Sequence, residues 1–285
     1  MTLSPIITAG ELPPLPWLEV INPLARLGQV RHALFDFDGT ISVIRRGWEQ
    51  IMIPLMVEMI CEDQPPSPEI EAQVEDYVDL STGILTIKQM EWLEQAVVRH
   101  DLASRKLTAR QYKTIYNERL LQPVRARMAL MEGSGDSRET LMIAGVRAFL
   151  EDLQERGVSL YLASGSDHVY VVEEATALGV ADFFDGHIYG ARDDTEAYSK
   201  DRIIYRILDD HDLAGEQLLV VGDGPVEIRH ARDRGALALG IAADEELRQG
   251  LDSRKRQRLL LAGADLLVTD FLHHEQLAGI LAGDG

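Results

Sequence analysis

The sequence predicts an α/β protein: a Rossmann-like, doubly wound parallel sheet carrying an inserted all-helical domain. Two observations predict the sheet. Short runs rich in Val, Leu, Ile and Ala recur at 31–36, Ser159–Ala163, Gln217–Val221, Ala236–Ile241 and Asp265–Thr269. Amphipathic helical patterns separate most of them, the alternation that buries a parallel sheet on both faces. A third observation predicts the insertion. From 45 to 132 the chain has helical periodicity and no strand-like run, so a helical domain follows the first strand.

Taken in order, residues 1–30 read as an irregular N-terminal extension, because Pro5, Pro13, Pro14, Pro16 and Pro23 interrupt it. Residues 31–44 and 133–285 form the core domain, and residues 45–132 the helical one. In the latter, Trp48, Ile51, Met52, Leu55, Met56 and Met59 recur at helical spacing, with Pro54 a kink. Pro65-Pro66-Ser67-Pro68 separates this helix from further ones near 69–80, 86–103 and 108–131. The segment Thr82–Thr86 reads as an interhelical turn in preference to a specificity loop. Gly133-Ser134-Gly135-Asp136 reads as a hinge back to the core. Core helices are expected near 140–156, 167–178, Lys200–Asp212 and Pro225–Arg234, and after the last strand. Asp193-Asp194 reads as a solvated turn.

Charge narrows the function classes. A net charge of −19 and a pI near 4.8 argue against nucleic acid or an anionic membrane as partner. Hydrophobic content of 46% with 26% charged residues fits a soluble globular chain. One cysteine, Cys61, allows no internal disulfide and fits a reducing cytosol. No basic n-region opens the chain, and no segment reaches the roughly 20 apolar residues of a membrane span. The expectation is a cytoplasmic protein.

Chemistry concentrates at the predicted strand ends, where open α/β sheets bind ligands. The first strand ends in Phe35-Asp36-Phe37-Asp38-Gly39-Thr40. In extended chain, positions i and i+2 point the same way, so two carboxylates enter one pocket and repel unless a cation or shared proton compensates them. The next strand ends in Ala163-Ser164-Gly165 before a helix, an arrangement suited to an oxyanion or phosphate, though Ser164 could equally cap that helix. Lys200 opens a helix, the end where a cation opposes the macrodipole. The run Val220-Val221-Gly222-Asp223-Gly224-Pro225-Val226-Glu227 ends a strand in oxygen ligands suited to Mg²⁺; an N-cap Asp223 with a first-turn Glu227 is the plainer alternative.

In this order the four pieces resemble the haloacid dehalogenase-like hydrolase superfamily. The insertion resembles its C1 helical cap, and the whole resembles the phosphoglycolate phosphatase and β-phosphoglucomutase branch. The resemblance implies a Mg²⁺-dependent phosphomonoester hydrolase acting on a small phosphorylated metabolite, with a sugar phosphate or phosphoglycolate as candidates. Asp36 would be the nucleophile, forming an aspartyl-phosphate, and Asp38 the general acid and base. Mg²⁺ would be held by Asp36, the Asp38 carbonyl and Asp223, with Glu227 direct or through water. Ser164, the Gly165 N–H and Lys200 would hold the phosphoryl oxygens. Arg45 and Arg46, where core passes to cap, are weaker substrate candidates beside the plainer reading of surface arginines. A phosphomutase and a non-catalytic phospho-ligand sensor are the alternatives.

Overall fold

The computed structural model describes residues 7–131, 135–192 and 199–283. The expected turn at Asp193-Asp194 and the Gly133-Ser134 part of the hinge lie outside them. The strands are β1 (Ile7–Thr8), β2 (Leu18–Val20), β3 (Arg26–Leu27), β4 (His32–Phe35), β5 (Ser159–Asp167), β6 (Ile188–Ala191), β7 (Leu218–Gly222), β8 (Leu237–Ile241) and β9 (Leu266–Val268). Seven form one sheet in the order β2-β9-β8-β7-β4-β5-β6, parallel except for β2.

The sheet is buried on both faces because its central strands are largely apolar, β7 and β8 at every position and β4 at Ala33, Leu34 and Phe35. In β4, Ala33 and Phe35 join one hydrophobic cluster and Leu34 the other, the period of two that a pleated strand imposes. The first cluster packs α6 (Val146–Glu155), α7 (His168–Leu178) and α11 (His274–Ala282) through Phe149, Val171 and Leu277. The second packs α8 (Lys200–Asp210), α9 (Pro225–Asp233) and α10 (Ser253–Ala262) through Ile203, Ile228 and Leu259.

The inserted segment holds α1 (Glu49–Cys61), α2 (Pro68–Leu80), α3 (Thr86–His100) and α4 (Ala109–Ala129). Helix α1 runs unbroken through Pro54. Ser67 caps α2 by accepting from the Ile70 N–H at 3.3 Å, with Pro68 as first helical residue. Thr108 and Gln111 form a capping box on α4. A short helix, α5 (Gly135–Glu139), begins where the rest of the hinge was expected.

The N-terminal stretch departs from the irregular extension expected. β1 and β3 pair with each other, and β2 pairs antiparallel with β9, Leu18 opposite Val268. The chain thereby covers an edge that would otherwise expose unpaired backbone groups.

Candidate active site

Strand register assembles the site. Phe35 at the end of β4 lies opposite Leu162 of β5 on one side and Val221 of β7 on the other. From β4 the chain moves to β5 and β6, then returns to the other side of β4 with β7. The carboxyl end of β4 is therefore a topological switch point, where a crevice opens. Asp36, Ser164 and Asp223 all sit at that level.

Gly39 lets the loop after β4 close tightly. Its φ is +77°, and a Cβ there would lie 2.7 Å from the Asp223 carboxylate carbon, so glycine is required for both conformation and space. Lys200, buried at the start of α8, donates to Asp36 Oδ1 at 2.7 Å and Glu227 Oε2 at 3.0 Å. The other Glu227 oxygen accepts from the Gly224 N–H at 2.8 Å, so Glu227 caps α9 as well as pairing with Lys200.

Asp36, Asp223 and Glu227 each bring a carboxylate oxygen within 4.8 Å of the others. Burial pushes the Asp36 carboxyl well above its ordinary pKa. Lys200 opposes that rise; Glu227, Asp223 and Asp38 add to it. Burial also works against the Lys200 ammonium, but Asp36 and Glu227 outweigh it and hold its pKa above the usual lysine value. A buried carboxylate surrounded by three others and one ammonium fits a hard divalent cation with oxygen ligands.

Asp38 faces the same cavity. Its Oδ2 accepts from Ser164 Oγ at 3.1 Å and Ser166 Oγ at 3.2 Å, while buried Oδ1 has no hydrogen-bond partner. Arg45 approaches that oxygen to 3.6 Å from Nε. Its own hydrogen bonds go to Glu174, from Nε at 3.0 Å and Nη2 at 2.7 Å, and to Ser166 Oγ at 2.9 Å. Arg46 is not brought in: its Nε pairs with Glu246 at 3.1 Å.

Two cations absent from the sequence expectations attend Asp223. Lys255 Nζ, on the inward face of α10, lies 2.8 Å from Asp223 Oδ2 and 2.7 Å from Glu245 Oε1. Arg258 Nη2 lies 3.7 Å from the same Asp223 oxygen. Burial alone would raise the Asp223 pKa, but Lys255 and Arg258 hold it below the usual carboxylate value. A run reading Ser253-Arg254-Lys255-Arg256-Gln257-Arg258 looks like a solvated face. The one available signal was lysine scarcity: two of the chain's five lysines lie in this site.

The segment Thr82–Thr86 is more than an interhelical turn, for it seats the cap on the core. A Cβ on Gly83 (φ +96°) would press into Glu227 and lie 3.4 Å from Lys200 Nζ. Thr86 Oγ1 donates to the Gly165 carbonyl at 3.3 Å. Arg258 Nη1 reaches Thr82 Oγ1 and Asp79 Oδ1, both at 3.4 Å. Between cap and core lies a cavity of about 70 Å³ bordered by Asp36, Asp38, Arg45, Trp48, Gln89 and Tyr116. Among the described residues, no helix is long and apolar enough to cross a membrane.

Residues 30–235 match the model of a hydrolase family, the haloacid dehalogenase-like hydrolases. The chain is 31% identical over 117 residues to a 5'-nucleotidase of Pseudomonas aeruginosa, an alignment covering 39% of this chain and 51% of that protein. It thus spans about half the length of that relative. Similar solved structures include a predicted phosphatase from Clostridium acetobutylicum (TM-score 0.56, 16% identity, 88% of this chain and 99% of that one). Another is a predicted phosphoglycolate phosphatase from Haemophilus somnus (TM-score 0.56, 19% identity, 87% and 98%). A third is a putative β-phosphoglucomutase from Bacteroides vulgatus (TM-score 0.51, 14% identity, 88% and 91%). These structures share the fold, and the family match spans the strand ends that carry Asp36, Ser164 and Asp223 and the helix start that carries Lys200. The chain is an enzyme of the haloacid dehalogenase-like hydrolase family.

Proposed function

We propose that the enzyme is a Mg²⁺-dependent phosphomonoester hydrolase of small phosphorylated metabolites, working through an aspartyl-phosphate on Asp36. The observation that carries this reading is the convergence of Asp36, Asp38, Ser164, Lys200 and Asp223 at one switch point. Asp36 attacks phosphorus, and the ester oxygen leaves with a proton from Asp38. Asp38 then takes a proton from the water that hydrolyses the acyl-phosphate. Ser166 Oγ, on Asp38 Oδ2, orients that carboxyl for both transfers.

Carboxylate attack on a phosphate dianion brings like charges together. Lys200, already on Asp36, meets the developing charge, with Ser164 and the Gly165 N–H as further donors to the phosphoryl oxygens. Asp36, the Asp38 carbonyl and Asp223 would hold Mg²⁺, which supplies further charge neutralisation at nucleophile and phosphate. Both Glu227 oxygens already accept hydrogen bonds, which supports its acting on the cation through water. The cap excludes bulk water from the reaction. A cytoplasmic setting suits the single buried thiol of Cys61.

Phosphate release from p-nitrophenyl phosphate and a panel of sugar phosphates tests the reading. Activity should vanish in chelator and return with Mg²⁺. Undiminished turnover in chelator would contradict it.

A further inference from the structure

The cavity under the cap is where the alcohol portion of a phosphate ester would lie, and its charges are arranged against a second anion. Among the described residues that border it, Arg45 is the one cation. Its fork is closed: Nε and Nη2 grip the Glu174 carboxylate and Nη1 is held by Ser166. Glu174 is itself buried and on α7, so it presents no exposed face of its own. The remaining nearby cations serve the other end of the site, Lys200 on Asp36 and Glu227, Lys255 on Asp223 and Glu245, and Arg258 on Asp223, Asp79 and Thr82. Residues 1–6, 132–136, 193–198 and 284–285 contain no lysine, arginine or histidine. Facing the cavity from the core is Asp38, whose Oδ1 has no hydrogen-bond partner. Apart from Asp36 and Asp223 at the phosphoryl end, the other walls are neutral: Trp48, Ile84 and Leu120 offer apolar surface, and Thr86, Gln89 and Tyr116 offer hydroxyl or amide groups.

We infer that the alcohol portion of the substrate is uncharged, so that the substrate is a polyol or sugar monophosphate rather than a phosphorylated carboxylic acid or a bisphosphate. Glu174 is the specificity-determining residue, because it cancels the one guanidinium that could pair with a second anion. Desolvating an anion beside Asp38 with no free cation is the repulsive element that separates the two substrate classes. This inference rests on the phosphatase reading.

The test compares matched pairs: phosphoglycolate against its neutral amide, and a hexose monophosphate against the corresponding bisphosphate, with p-nitrophenyl phosphate as a control. For the wild-type enzyme with Mg²⁺, kcat/KM should favour the neutral member of each pair by about tenfold or more. Glu174→Gln leaves Arg45 with Asp38 as its remaining anionic neighbour and should narrow the gap, while Glu174→Asp should preserve it. If neither variant folds, the wild-type comparison decides alone. Equal or greater kcat/KM for the anionic members, with turnover intact, overturns the inference and leaves the phosphatase reading standing. Failure to release phosphate from any compound, the control included, overturns both.

Discussion

Gly165→Ala isolates the contact between cap and core. Gly165 needs no left-handed backbone, so alanine brings no intrinsic strain. A Cβ at this position, however, would fall well inside van der Waals distance of the Ile84 carbonyl oxygen and 3.0 Å from its carbon. Both atoms are main chain of the cap, unable to yield as a flexible side-chain tip would. Overpacking of this kind costs about 1–3 kcal/mol. Because the obstacle belongs to the inserted helical segment, the cost would fall on the seating of that segment, the closed arrangement, and not on the folded core. That energy lowers the closed population, and with it kcat/KM, by about 5- to 150-fold, at 1.4 kcal/mol per factor of ten. The Gly165 N–H is retained, so the phosphoryl contact proposed for it would survive. Steady-state kinetics on a hexose phosphate, beside the thermal midpoint of the same preparations, reads both effects. The expected pattern is a large loss in kcat/KM with a nearly unchanged midpoint. Wild-type kcat/KM in a folded Gly165→Ala enzyme would refute the seating of Ile84 on Gly165 during turnover.

Other perturbations address the charges. Lys255→Met removes the ammonium 2.8 Å from Asp223 Oδ2, which would compete with the proposed Mg²⁺ for that carboxylate. The apparent Mg²⁺ affinity, read from the Mg²⁺-induced rise in thermal midpoint, should tighten by about tenfold; an unchanged Mg²⁺ increment would contradict the competition. Burial, aided by His211, lowers the His32 pKa below its unfolded value. Between the two values the unfolded chain binds more protons, so His32 costs stability as pH falls below about 6.5. His32→Asn should therefore flatten the decline of the denaturant midpoint across that window, and identical slopes for variant and wild type would rule out the contribution.

The sequence was most readable where physics acts locally. Continuous apolar runs ending in Asp36, Ser164 and Asp223 announce buried parallel strands, and their register then places the three residues together. Spacing alone also suggests four cap helices. Elements without such runs escaped notice. β6 is short, with Tyr189 and Gly190 inside it, and β2 lies among prolines where only pairing with β9 makes it a strand. Helix α10 begins with a basic run, so its inward face shows only in three dimensions. Arg45 carries no signal of its partner, because Glu174 stands 129 positions away. Thr82–Thr86 looks like any turn until the core beneath it is seen.

The central claim is that Asp36 carries the phosphoryl group. It is tested most directly in Asp38→Asn, which keeps the nucleophile but cannot activate water and so accumulates the intermediate. This variant, mixed with Mg²⁺ and a phosphate ester of a good leaving group, quenched in acid and mapped by mass spectrometry, should bear a phosphoryl group on Asp36. Phosphate release by this variant without any label on Asp36, or with the label on another residue, would contradict the account.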